Sequence, residues 1–252
     1  MKLVIDIGNS KAKLALFDST ALVSRRSITK LSVAGIKKFV GKKKVERVLL
    51  ASVKEINSSI VSYLKNNYHV IIFSSKTDLP VKNKYKTPAT LGYDRIASVV
   101  AAVNIYPGTN ALVIDMGSCI TYNFINSRKE YLGGSISPGL DMRFKAMHNF
   151  TDKLPLVKIS PGSHKARTFA GKIIGSSTKE SMEQGVLAGI IGELNSVIGQ
   201  YGKKYKGLKV IITGGDAALF ESNIKSKIFA VPNLVLQGLN IILDHNAIKR
   251  KP

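Results

Sequence analysis

Apolar and polar positions along this chain follow two periods. Apolar runs with strand-like alternation predict strands at 2–7, 12–18, 46–52 and 69–73. Helical spacing predicts a helix from Ile56 to Asn66, with Ile60, Val61 and Leu64 on one side. Further helices are predicted around Ile36 to Val40 and from Arg95 to Tyr106, before Pro107-Gly108 punctuates the chain. The pattern then restarts with a hairpin at 111–125 and a Gly/Pro loop at 133–139. A long helix fits Thr178 to Tyr201, a strand Lys209 to Thr213 ends in Gly214-Gly215, and a last helix spans about 234–247. Strands alternating with helices, begun twice, predict a duplicated α/β architecture with halves at 1–107 and 108–252.

Each half opens on the same stencil. Leu3-Val4-Ile5-Asp6-Ile7-Gly8-Asn9-Ser10 is matched by Leu112-Val113-Ile114-Asp115-Met116-Gly117-Ser118-Cys119. Both run into a second apolar stretch, so each reads as strand, tight polar turn, strand. A glycine turn lets backbone amides approach a phosphate, while the adjacent carboxylate can face a metal ion. Two such hairpins facing each other would make a nucleotide cleft. The plainer reading is a structural hairpin whose Asp stabilises the turn.

The first copy, Asp6-Ile7-Gly8-Asn9-Ser10-Lys11-Ala12-Lys13, has the makings of a phosphate loop. Asn9, Ser10 and backbone amides would donate to phosphate oxygens, and Lys13 would add charge. Asp6 would hold Mg²⁺ through water, since that ion takes few carboxylates beside phosphate oxygens. The loop is not of the Walker type, because Gly-x-x-x-x-Gly-Lys-Ser/Thr is absent. The Gly214-Gly215 turn is a second nucleotide signal, equally readable as a tight turn.

Composition narrows the picture. The apolar share of 44% supports a core, and no stretch has the length of a membrane span. Met1 to Ile5 meets Asp6 too early for a signal-peptide core. The single Cys119 excludes an internal disulfide and fits a reducing compartment, so a cytoplasmic location is expected. Cys119 itself is expected to be buried and inert. Basic residues number 38 against 16 acidic, a net charge of +22. That balance raises nucleic acid as a partner. The basics are dispersed and mostly lysine, however, and no nucleic-acid motif accompanies them, so a solvated lysine-rich surface is the expectation. His69, His148, His164 and His245 have no metal-ligand spacing with Cys119.

Four more segments carry a resemblance. They are Tyr85-Lys86-Thr87-Pro88 leading to Leu91-Gly92-Tyr93-Asp94-Arg95, then Asp115 to Thr121, Gly133-Gly134-Ser135-Ile136-Ser137-Pro138-Gly139, and Gly175-Ser176-Ser177-Thr178. The duplicated hairpins resemble the superfamily of acetate and sugar kinases, chaperone ATPases and actin. With the further segments in order, the chain resembles type III pantothenate kinase over nearly its whole length. The resemblance implies duplicated actin-like (ribonuclease H-like) domains with the nucleotide cleft between them. It implies ATP-dependent phosphorylation of pantothenate to 4′-phosphopantothenate, the first step of coenzyme A biosynthesis.

It also implies roles. Asp94 would be the base that accepts the hydroxyl proton; alone it would read as an ordinary acid at a helix N-terminus. Gly92, Tyr93, Asp94 and Arg95 would line the pantothenate site, together with Tyr85 and Thr178. Tyr85 alone would read as packing, and Thr178 as a helix N-cap. ATP would be held by Asp6 to Lys13 and by Ser118, where the family usually has threonine. Asp115 would bind a monovalent cation, K⁺ or NH₄⁺, and Asp6 Mg²⁺ through water. A homodimer is implied, with no membrane association. Ser52-Val53-Lys54-Glu55 departs from the expected Ser-Val-x-Pro and takes no role. Two other classes of function stay open: a non-catalytic regulator of the Bvg accessory factor type, and a kinase for another small hydroxylated metabolite. Intact Asp6, Asp94, Arg95 and Asp115 argue for catalysis.

Overall fold

A computed structural model describes residues 1–159 and 174–248. His164 and the terminal Lys249-Arg250-Lys251 run lie outside the described residues. The chain opens with β1 (Lys2–Ile7), β2 (Ala12–Asp18) and β3 (Ala21–Ile28), then α1 (Val33–Val40) and β4 (Arg47–Ser52). Next come α2 (Ser58–Asn67), β5 (His69–Ile72), a short β6 (Lys82–Asn83) and α3 (Tyr93–Ile105). The second start gives β7 (Ala111–Met116), β8 (Cys119–Ile125), β9 (Glu130–Pro138) and α4 (Leu140–Asn149). After α5 (Thr178–Lys204) follow β10 (Lys209–Thr213), α6 (Ala217–Phe220), β11 (Phe229–Ala230) and α7 (Leu234–Ile248).

These elements form two compact units, and neither is a continuous stretch. One comprises Met1–Ile105, Lys129–Leu132 and Asn233–Pro252; the other comprises Tyr106–Arg128 and Gly133–Pro232. The expectation had been continuous halves at 1–107 and 108–252. The difference lies mainly in α7, which packs along α3 and against β1 and β4 of the first unit. Small residues allow this approach: a Cβ on Gly238 would stand 1.8 Å from the Ala97 carbonyl oxygen. Buried Lys2 of β1 pairs with Asp244 of α7, and the Asn240 amide donates to Ser19 O at 3.1 Å.

In the first unit the sheet order is β3-β2-β1-β4-β5, with β1 antiparallel to β2 and parallel to β4. Period-two alternation puts Leu3, Ile5, Leu14, Leu16, Val48 and Leu50 on one face. There they meet Ile36 and Phe39 of α1 and Ile60 and Leu64 of α2. Fully burying each such side chain contributes about 2 kcal/mol. Helix α1 begins at Ser32, whose hydroxyl accepts the Gly35 N–H at 3.1 Å.

In the second unit β7 and β8 form an antiparallel hairpin, with β10 parallel beside β7 and β11 parallel beside β10. One face is covered by α5, whose Val186, Ile190 and Leu194 pack with Leu112, Ile114 and Ile212. Strand β9 begins in the first unit, where Glu130 and Tyr131 pair in parallel with Lys82 and Asn83. It ends in the second, and corrects the loop expected at 133–139. Its glycines mark close backbone approach rather than a turn: a Cβ on Gly134 would lie 1.7 Å from Tyr122 O. Cys119 is half-buried at the start of β8, not fully buried as expected.

Candidate functional site

The first turn is built by β1 and β2. The apolar run Leu3 to Ile5 is buried, and the strand ends at Asp6, itself buried and in register with Lys13. The Gly8 N–H donates to Lys11 O at 3.0 Å and closes the turn, leaving Asn9, Ser10 and Lys11 exposed. Ala12 is buried where β2 begins. Lys13 Nζ stands 3.8 Å from Asp6 Oδ2. The Tyr93 hydroxyl donates to Asp6 Oδ1 at 2.6 Å and lies 3.0 Å from Ile7 O. Burial pushes the Asp6 carboxyl above the ordinary carboxylate value; Lys13 and the Tyr93 hydrogen bond oppose the rise, and the Asp94 charge adds to it. Burial and Asp6 together push the Tyr93 hydroxyl upward, so it stays a donor.

Sequence reasoning missed one group here. Lys54 of the unassigned Ser52 to Glu55 stretch donates to the Asn9 carbonyl, and Val53 N–H donates to Ile7 O at 3.0 Å. An ammonium beside the Asn9 turn is invisible to motif reading when it comes from a loop far along the chain.

Helix α3 starts at Tyr93, two residues before the expected Arg95, so Asp94 falls in its first turn. Asp94 is half-buried and accepts the Arg95 N–H at 2.8 Å. Arg95 is buried, its guanidinium 5.5 Å from the Tyr85 ring, which in turn lies 6.1 Å from the Tyr131 ring. Tyr85 and Arg95 are thus together. Ser52, Phe73, Ser74, Thr90, Gly92 and Tyr93 help line a cavity of about 400 Å³ in this unit, and its described lining carries no charged side chain.

The second unit holds the remaining candidates. Asp115 ends β7 half-buried, in register with Thr121 of β8 and with Thr213 of β10. Ser118 is exposed at the turn, and its carbonyl accepts the Gly139 N–H at 3.2 Å. Asp216, after the Gly214-Gly215 turn, donates its N–H to Met116 O at 3.0 Å. That contact lays the glycine turn on the second hairpin. Burial and the neighbouring Asp141 charge push the Asp216 carboxyl up to about 6. Thr178 is exposed as the first residue of α5; the cap is Ser177, whose hydroxyl accepts the Glu180 N–H at 3.3 Å. The N-cap alternative for Thr178 is thereby corrected by one residue.

A carboxylate that the sequence did not flag supports this unit's turn. Glu193 of α5 accepts from the Tyr122 hydroxyl at 2.7 Å and the Ser137 hydroxyl at 2.5 Å, and it pairs with Arg143 of α4. Arg143 Nε also donates to Pro138 O at 2.9 Å. Burial pushes the Glu193 carboxyl up, but these hydrogen bonds and the Arg143 charge outweigh it and hold the group below its ordinary value. The end of β9, which leads to Gly139, is thus tied down from both sides.

Among the described residues no group of three or more His, Cys, Asp or Glu forms a metal cage. Mg²⁺ held largely by phosphate oxygens needs none, and Asp6 at the glycine turn suits it. Asp115 has Thr121 and Thr213 in register on the flanking strands, residues whose side chains carry the oxygen donors a monovalent cation takes. No helix among the described residues is long and apolar enough to cross a membrane.

The sequence model of type III pantothenate kinase matches residues 2–200. The chain belongs to this family. A type III pantothenate kinase from Christiangramia forsetii is 43% identical over 248 residues, covering 98% of this chain and 99% of that protein. Solved structures share the fold. A protein described as a Baf family transcriptional activator from Campylobacter jejuni aligns at TM-score 0.59 and 21% identity, over 98% of this chain and 99% of its own. One described as a 2-dehydro-3-deoxygalactonokinase from Sinorhizobium meliloti aligns at TM-score 0.58 and 12% identity, over all of both chains. At such identities the likeness is one of fold, and the fold is the duplicated actin-like one expected. Type III pantothenate kinases therefore supply the family, and the wider superfamily only the scaffold.

Proposed function

We propose that this protein transfers the γ-phosphoryl group of ATP to the primary hydroxyl of pantothenate, giving 4′-phosphopantothenate for coenzyme A biosynthesis. Family membership supports the reaction. The observation that carries the residue assignment is the junction of Asp6 with Tyr93-Asp94. The hydrogen bond at 2.6 Å joins the glycine turn after β1 to the helix end that bears a half-buried carboxylate, which supports reading that turn as the phosphate loop. Phosphoryl transfer asks for little else than positioning, charge neutralisation and a proton acceptor.

In this reading Asn9, Ser10 and the amides of Gly8 to Lys11 hold phosphate oxygens, and Lys13 offsets their charge. Asp6 would hold Mg²⁺ through water, and that ion would neutralise charge building on the phosphates. Asp94 takes the hydroxyl proton; a carboxylate suffices because proton loss is late in a loose transition state. Arg95, fixed by Tyr85, meets the carboxylate or amide end of pantothenate, with Gly92 alongside and Thr178 adding a hydroxyl. Asp115, with Thr121 and Thr213, would hold K⁺ or NH₄⁺, and Ser118 contributes a hydroxyl to ATP. A homodimer and a cytoplasmic location complete the proposal, both supported by the family alone.

The regulator reading finds a likeness of fold in the Baf family structure, whereas a named kinase is far closer in sequence. The test is ADP release with pantothenate against a panel of small alcohols, in Mg²⁺ with K⁺ or with Na⁺. Pantothenate-dependent release that needs K⁺ is expected. Release independent of pantothenate, or with another alcohol only, would refute the proposed acceptor; full activity in Na⁺ would remove the cation role of Asp115.

A further inference from the structure

The residue before the proposed base has its hydroxyl engaged within the protein. The Tyr93 side chain is buried with its ring 6.0 Å from that of Phe73, so packing restricts its rotation. Its hydroxyl hydrogen is directed to Asp6 Oδ1 at 2.6 Å, with Ile7 O at 3.0 Å sharing it. A phenol has one hydrogen to give, and here the carboxylate receives it. The partners are 87 positions apart in sequence, so nothing local forces the contact. With Oδ1 held, the other oxygen, Oδ2, is the one that faces Lys13.

We infer that Tyr93 is a positioning residue: it sets the orientation of Asp6 and ties the Asp6 to Lys11 turn to the helix end that carries Asp94. The inference rests on the proposed kinase reading for the roles of Asp6 and Asp94. It reassigns Tyr93, which the family resemblance had placed among the pantothenate contacts. The hydroxyl is spent on the phosphate turn, so acceptor recognition falls to Gly92, Arg95 and Tyr85. The tyrosine couples two parts that in-line transfer must hold in register, the phosphates and the base.

Tyr93→Phe keeps the ring against Phe73 and removes only the hydroxyl. Three measurements follow: steady-state constants for both substrates, calorimetric affinity for ADP with Mg²⁺, and the same affinity in Asp6→Asn and in the double variant. Thermal unfolding checks that each variant is folded. The expected result is kcat lower by about tenfold, as for loss of a hydrogen bond to a charged group, with the pantothenate KM within about twofold of the parent. ADP binding should weaken severalfold in Tyr93→Phe, and the same substitution should have little further effect once Asp6 is Asn. A raised pantothenate KM with unchanged ADP affinity would overturn the inference and return Tyr93 to the acceptor site. Independent, multiplicative effects of the two substitutions on ADP affinity would also overturn it. If the parent protein releases no ADP with pantothenate, the kinase reading fails, while the ADP-binding cycle still decides whether Tyr93 acts through Asp6.

Discussion

Glu193→Gln puts the support of the second turn to a quantitative test. The parent carboxylate accepts two hydroxyl hydrogen bonds, from Tyr122 and Ser137, and pairs with Arg143. Glutamine retains the shape and one acceptor oxygen, which keeps the hydroxyl bonds. Its amide, however, turns N–H groups toward the Arg143 guanidinium, so the ion pair becomes a donor facing a donor. Breaking a buried pair costs about 3–5 kcal/mol. Glu193 and Arg143 retain 25% and 21% side-chain exposure, so solvent screens part of that cost. A loss of about 2 kcal/mol is the expectation, or roughly 4–8 °C in Tm for a chain of this size.

The pH dependence supplies the control. The folded-state carboxyl is held below its ordinary value of 4.5, so its contribution is present above about that pH and is lost as pH falls through the folded value. The gap between parent and variant should be full at pH 7 and should shrink below about pH 4.5. Thermal unfolding followed at pH 7 and pH 3.5 measures both. A gap under about 0.5 kcal/mol at pH 7, or one equal at the two pH values, would refute the assignment of charge to this network.

Three other substitutions test separate parts. Asp94→Asn should lower turnover by about a hundredfold or more with unchanged thermal unfolding; near-parental ADP release would remove Asp94 as the base. Gly238→Ala would set a Cβ 1.8 Å from Ala97 O, so α7 must shift off α3. The overpacking cost of about 1–3 kcal/mol should exceed the helix-propensity gain of about 1 kcal/mol, and a denaturation midpoint at or above the parent's would show that the helices are not seated so closely. Asp216→Asn acts in the opposite direction. A carboxyl raised to about 6 favours folding at low pH and loses that contribution as pH rises through 6. The variant should therefore gain about 1 kcal/mol on the parent between pH 4 and pH 8, a figure reduced for the group's exposure. Equal differences at both pH values would exclude burial of that carboxylate.

The hairpins were legible because each combines a buried period-two run with a glycine turn, and β10 was legible because Lys209 to Thr213 is bounded by glycines on both sides. Strand β3 was missed because Ser24, Arg25, Arg26 and Ser27 dilute its alternation at a sheet edge. Strand β9 was missed because glycine and proline ordinarily signal a loop, and here they signal contact with β8. Helix α4 buries only Leu140 and Phe144, too few positions to show a period. The candidate phosphate turn, Asp94 and Arg95 were nameable from local motifs. The roles of Tyr93, Lys54 and Glu193 were not, because each depends on a partner far away in sequence and no periodicity encodes such a pairing. The return of α7 to the first unit was hidden for the same reason: an apolar face declares that it will be buried, not against what.

That return sets an order of events during synthesis. Strands β1 to β5 leave the ribosome before the second unit, yet the helix that covers β1, β4 and α3 follows that unit. The second unit can therefore consolidate its core while the first still exposes the face meant for α7. The unit begun first is closed second, and the helix that bears Asp94 gains the packing of α7 only after the second unit has emerged.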